Sequence, residues 1–289
     1  MFESFSRGWQ ITKASFKVLK SDKEILALPL MSGALLVLVT LSILGVGLFT
    51  LPLGALAAGD PAAQYLGLAF LFAIYLASYF IIIFFNAAVV ECAMIRFNGG
   101  DPVLKDGLRK AWSRKTRILQ WALVAATVGL ILKMLESAAR RAENDLVRMV
   151  GQIGVWIAGA AWNIAVFFVV PVLVYENVGP MDALKSSART WKGMWGEGFA
   201  ASFSASIIFL GLGLLGLIPM WIAFQIGGAG ALALIAATVL YWVLLAAANS
   251  AVDTIVVAAL YKYSRDRRLP EQFQDALPTP AGGRIAPWA

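Results

Sequence analysis

Histidine is absent from all 289 residues, and cysteine occurs once, as Cys92. The first absence removes the usual general base, the commonest metal ligand and the side chain that most readily changes charge near neutral pH. A Ser-His-Asp triad and a His-ligated metal are excluded. The lone thiol excludes an intrachain disulfide and any multi-cysteine zinc or iron-sulfur site, and its apolar neighbours make it a packed thiol. Charge is scarce as well. Charged residues make up 14% and hydrophobic ones 60%, against roughly 25% and 45–50% in soluble domains, so a water-facing surface cannot be assembled from what remains.

What is present is apolar length. Continuous runs at about Ile25 to Leu51, Tyr65 to Ile95, Ile118 to Leu132, Val150 to Tyr175, Phe199 to Ile226 and Ala229 to Tyr261 carry no Lys or Arg at their centres. About 20 helical residues cross a ~30 Å hydrocarbon core, so the runs predict six transmembrane helices. The third must continue past Lys133, and the second and sixth are long enough to tilt or project. Barrel strands would alternate over short segments, which these runs do not.

The net charge of +7 would suit nucleic acid in a soluble protein, but here the bases flank the spans. Twenty of the 24 lie in the N-terminal segment, the second-to-third and fourth-to-fifth connections and the tail. The other side has only Lys133, Arg140, Arg141 and Arg148, interleaved with Glu136, Glu143 and Asp145. The positive-inside rule predicts cytoplasmic termini, and the third-to-fourth connection is expected to extend its flanking helices on the outer side. The first run is too long for a signal-peptide core and is expected to stay as an anchor. This gives an amphipathic N-terminal helix over 1–24, a six-span domain over 25–263 and a flexible Pro/Gly-rich cytoplasmic tail over 264–289.

Three cytoplasmic segments resemble one another, each preceding an odd-numbered span. Phe2, Phe5, Trp9 and Phe16 form one apolar set. Leu104, Leu108 and Trp112 follow Asp101-Pro102, and Met181, Leu184, Trp191 and Trp195 follow Gly179-Pro180. Spacings of three, four and seven, with Lys and Arg opposite, predict helices lying in the headgroup layer with Trp9, Trp112, Trp191 and Trp195 as anchors. The repeat of helix plus hairpin is one explanation; ordinary enrichment of Trp and Lys at an interface is the other.

Gly211, Gly213 and Gly216 match G-x-G-x-x-G, but mid-span and without a preceding strand, so close helix packing is the expected role, as for Gly151 and Gly154. The costly groups are Asn86, Glu91, Asn163, Asn249 and Asp253, which lie inside apolar runs. A carboxylate in hydrocarbon must face the bundle, pair or take up a proton. Two roles are open: interhelical hydrogen bonds that fix register, or a polar pathway in which Asp253 and Glu91 serve transport. Enzymatic chemistry has little support, since no paired-carboxylate motif is present. Ser186-Ser187 beside Lys185 is expected to touch lipid.

Phe85-Asn86-Ala87-Ala88, Gly107-Leu108 with Ala111, Trp121-Ala122, Val128-Gly129, Pro171-Val172-Leu173, Pro180 with Asp182-Ala183-Leu184-Lys185 and Ser187, Trp195-Gly196-Glu197, and Ala259-Leu260-Tyr261 with Tyr263 follow one another in order. In this order the chain resembles a six-pass prokaryotic membrane family, domain of unknown function 6159. It is more distantly similar to YciC-like proteins and to the membrane domain attached to some glycerophosphodiester phosphodiesterases, whose catalytic domain is absent. The resemblance implies six helices with cytoplasmic termini and a lipid-associated or accessory role, and it carries no assigned reaction.

The expectation is therefore an all-α, six-span bundle of a prokaryotic cytoplasmic (inner) membrane. It is non-enzymatic and without a cofactor, bound metal or nucleic acid, in contact with anionic lipid, and with any protein partner left open. The alternative is a small transporter of an apolar or amphipathic substrate.

Overall fold

The computed structural model describes residues 2–192, 206–266 and 273, with side chains from Trp9 onward. The elements are α1 (Phe2–Ser21), α2 (Glu24–Thr50), α3 (Leu53–Ala57), α4 (Pro61–Phe97), α5 (Leu104–Ser113), α6 (Lys115–Arg140), α7 (Asp145–Val166), α8 (Val169–Tyr175) and α9 (Pro180–Lys192). They are followed by α10, described over 206–215, α11 (Leu217–Ile226) and α12 (Gly228–Asp266). No strand occurs among the described residues.

Six helices are long and apolar enough to cross a membrane: α2, α4, α6, the α7–α8 pair, the α10–α11 pair and α12. Their outer surfaces are greasy. Phe49, Phe224, Trp156 and Tyr65 are 92%, 76%, 73% and 73% exposed, and many Leu, Ile and Val accompany them. Water would not tolerate so extended an apolar exterior, whereas lipid accepts it. The protein is an all-α, multi-pass membrane protein.

Lengths follow from the apolar runs and from the signals at their ends. α6 passes Lys133 and runs to Arg140, and after a short turn Asn144 opens α7 by accepting the N–H groups of Leu146 and Val147. The third-to-fourth connection is thus mostly helix. With 37 and 39 residues, α4 and α12 would reach about 55–58 Å, well beyond a ~30 Å hydrocarbon core.

The chain forms two compact units. One contains residues 1–31, 86–110 and 189–289, and the other residues 32–85 and 111–188. The core of the first is made by the last turns of α4 and α12 with α1. Ala87, Ala88, Val89, Val90 and Ala93 on α4 are buried, as are Ala251, Val252, Ile255, Ala258 and Leu260 on α12. α1 packs on α12, and its Ile11, Ala14, Ser15 and Val18, a stripe at three- and four-residue spacing, are buried. In the second unit α6 and α7 form a hairpin. Trp121 stacks on Trp162 with centroids 5.8 Å apart, and Gly151 lies so close that a Cβ there would be 3.0 Å from that of Ala139.

Candidate functional site

Two of the six spans are interrupted, and side chains mend each interruption. In the fourth, Pro171 has no N–H for the carbonyl of Phe167 and its ring crowds that carbonyl, so the helix breaks at Phe167–Phe168. The freed Phe168 N–H donates to the Oγ of fully buried Ser187 on α9, at 2.9 Å. At the far end of α8, Arg114 Nε donates to the Val174 carbonyl at 3.1 Å, a cation placed at a helix C-terminus. Ser186 donates to the Glu176 carboxylate, its Oγ lying 3.0 and 3.2 Å from the two oxygens. The expectation that Ser186-Ser187 serves lipid contact is corrected: both hydroxyls bond protein.

In the fifth span the break falls at Gly216, ahead of Pro219. Here α12 supplies the donors. Tyr241 OH donates to the Leu212 carbonyl at 2.6 Å, and Trp242 Nε1 to that of Gly213 at 3.1 Å. An irregular backbone survives in lipid only when its polar groups are satisfied within the protein. The indole lies so near Gly216 that a Cβ there would be 2.3 Å from Nε1. Of the glycines expected to bring helices together, Gly151 and Gly216 do so, a Cβ at Gly213 would just reach Leu245 of α12 at 4.0 Å, and Gly154 and Gly211 have nothing within 4 Å.

The intramembrane polar residues are held in different ways. Asn249 donates to Asp253 at 3.2 Å, but both are on α12, one turn apart, so the bond holds no second helix. The Asn249 Oδ1 is buried and has no hydrogen-bond partner among the described residues. Glu91 on α4 lies 3.9 Å from Lys110 on α5 and so joins two helices. Asn86 is half-buried on α4, whereas Asn163 is exposed on α7.

The helices expected to lie in the headgroup layer are α1, α5 and α9. On α1 the buried stripe is Ile11, Ala14, Ser15 and Val18. Trp9 lies on the other side, among Lys13, Lys17 and Lys20, with the Lys13 ammonium 5.2 Å from its ring. Two apolar stripes fit this helix, and the one without Trp9 is buried. Phe16, from the aromatic stripe, stacks on Phe209 of α10 at 5.4 Å. On α5 the closest approach is made by Gly107, where a Cβ would lie 2.6 Å from the Ala88 carbonyl oxygen and 2.8 Å from Cys92 Sγ. Trp112 is exposed on the flank, with Lys115 4.2 Å above it. Pro102 precedes α5 by two residues instead of opening it, while Pro180 does open α9. On α9, Ala183 and Ser187 are buried and Trp191 is half-buried; Trp195 lies outside the described residues.

An ion-pair node ties these ends together within the first unit. Arg96, at the end of α4, pairs with buried Asp22 in the α1–α2 turn and with Asp101. Glu24 accepts the Leu104 N–H at 3.2 Å, and Lys262 reaches Asn98 at 2.9 Å. Charges that flank spans in the sequence are thus partly spent on protein. Of the tail, Ser264 to Asp266 continue α12, and Phe273 is buried edge-to-face on Phe97 at 5.4 Å; its remaining residues lie outside those described.

The described residues contain no group of three His, Cys, Asp or Glu able to hold a metal. The signature of the Family of unknown function (DUF6159) matches residues 65–270, from the start of the second span past the end of the sixth. The chain belongs to the DUF6159 family. No curated protein matches it. The matched stretch of this DUF6159 chain includes both broken spans, the helices α5 and α9 and the Asn249–Asp253 pair.

Proposed function

We propose that the protein is a non-enzymatic, lipid-associated component of a prokaryotic cytoplasmic membrane, with both termini on the cytoplasmic side. Amphipathic helices α1, α5 and α9 meet anionic headgroups there. The orientation rests on the twenty flanking bases against four on the other side. The observation that carries the lipid reading is the outward face of α1. Lys13, Lys17 and Lys20 are exposed opposite the buried stripe, and Trp9 lies among them under Lys13. An indole beside ammonium groups suits the membrane interface, and each base contributes up to about 1 kcal/mol near an anionic leaflet.

The test is native mass spectrometry of the full-length protein released from micelles holding equal phosphatidylglycerol and phosphatidylcholine. Phosphatidylglycerol adducts should dominate at low salt and decline as salt rises. The triple variant Lys13→Gln, Lys17→Gln, Lys20→Gln should lose them by about tenfold or more. Equal retention of the two lipids at every salt concentration would sink the reading.

A second reading, transport of an apolar or amphipathic substrate through Asp253 and Glu91, is favoured by one observation. The Asn249 Oδ1 beside Asp253 is a buried acceptor without a partner among the described residues, open to a proton-bearing or cationic group. In proteoliposomes, Asp253→Asn should then abolish proton-dependent uptake, and unchanged uptake removes this reading.

A further inference from the structure

The hairpin of α6 and α7 carries a cleft of about 450 Å³, lined by Glu136, Arg140, Gln152, Ile153, Val155 and Trp156. That volume lies within the ~300–1,000 Å³ usual for small-molecule sites. The lining holds both signs of charge. Arg140 donates to Glu136 through Nε at 3.2 Å and Nη2 at 2.6 Å, and Lys133 reaches the other carboxylate oxygen at 3.1 Å. One acid between two bases leaves a net positive charge. The Arg140 side chain is 67% exposed, so guanidinium N–H groups remain for an outside acceptor. Trp156 spreads an exposed indole on the opposite wall.

Position identifies the occupant's class. Arg140 ends α6, and Gln152 lies seven residues into α7, about 10 Å along the helix from the turn. That is the level at which a spanning helix leaves hydrocarbon for headgroups, where Trp is enriched. No residue of α7 is buried, so the surroundings of the cleft face lipid, and exposed Ile153 and Ile157 continue from it as an apolar surface.

We propose that this cleft is a binding site for an aminophospholipid. The phosphodiester lies against Arg140, the primary ammonium lies between the Trp156 face and the Glu136 carboxylate, and the acyl chains follow α7. A guanidinium suits the two free oxygens of a phosphodiester, and an indole face attracts an ammonium. This goes beyond the lipid reading of α1 and depends on neither its basic face nor its orientation.

The experiment uses the full-length protein in neutral detergent, titrated with phosphatidylethanolamine, phosphatidylglycerol or diacylglycerol and read as bound lipid by native mass spectrometry. Phosphatidylethanolamine should bind in preference to the other two. Arg140→Gln should weaken it about tenfold, the loss expected for charge-assisted hydrogen bonds. Trp156→Leu should weaken phosphatidylethanolamine while leaving phosphatidylglycerol unchanged. Arg140→Lys keeps the charge and the helix, so a partial loss there, with an unchanged elution profile, separates binding from misfolding. Equal binding of all three lipids, or full binding by Arg140→Gln, overturns the site. Lys13, Lys17 and Lys20 are intact in these variants, so failure here leaves the α1 reading standing, and failure of the α1 test leaves this one.

Discussion

The fourth span breaks ahead of Pro171 and the fifth ahead of Pro219, and side chains from different sources bond the backbone beside each break. In the fourth, the partner comes from a separate short helix: Ser187 of α9 accepts the N–H of Phe168. In the fifth, it comes from the neighbouring span: Tyr241 and Trp242 of α12 donate to the carbonyls of Leu212 and Gly213. The first break exposes a donor and needs a small acceptor that can be fully buried. The second exposes acceptors and needs large donors, and a large donor needs room. Gly216 provides that room. The comparison teaches that α9 is part of the spanning bundle's hydrogen bonding, whereas the α10–α11 break depends on side-chain volume.

The largest effect that sharpens this contrast is steric. With its Cβ 2.3 Å from Nε1 and 2.9 Å from Cε2 of Trp242, Gly216→Leu must expel the indole and lose its bond to Gly213. Overpacking costs roughly 1–3 kcal/mol, and the lost interhelical bond adds about 0.6 kcal/mol or more. Gly211→Leu enters open space on the same span and should be neutral or mildly stabilising, because Leu is the better helix former. Heating each variant in detergent and measuring the monodisperse fraction by size exclusion gives the comparison. Equal midpoints for the two substitutions would show that Trp242 does not hold the fifth span.

The six spans were legible because lipid rewards apolar length irrespective of how side chains pack. Helix rotation was less legible. α1 has two candidate faces, Phe5, Trp9 and Phe16 or Ile11, Ala14, Ser15 and Val18, and periodicity alone does not choose between them. The structure buries the second, together with Thr12 and Leu19, while Trp9 remains with the lysines. Pro171 and Pro219 were visible mid-span, and each removes the N–H that would reach the carbonyl four residues earlier, but the groups that side chains reach, the Phe168 N–H and the Leu212 and Gly213 carbonyls, depend on tertiary placement. A signal was available at Ser187. It lies one turn beyond Ala183, and two small residues at that spacing mark the face of a helix that meets another backbone. The expectation for Asn163 rested on the rule that polar groups face the bundle, but the residue is exposed on α7, which burial cost alone could not foresee.

A smaller effect tests the other half of the contrast. Ser187→Ala preserves nearly all the volume of the buried side chain and removes only the acceptor of the Phe168 N–H. Polar contacts between membrane helices are worth about 0.6 kcal/mol on average and about 1.7 at most, so the melting midpoint should fall by less than in Gly216→Leu. Stability alone would not reveal what the bond does. Hydrogen exchange at Phe168 would, since an amide held by Ser187 should exchange faster once the oxygen is gone, while amides in the middle of α6 keep their rates. If Phe168 exchanges at an unchanged rate, α9 merely lies beside the broken span, and the conformation there is set by Pro171 and the packing of Phe168, Val172 and Leu173.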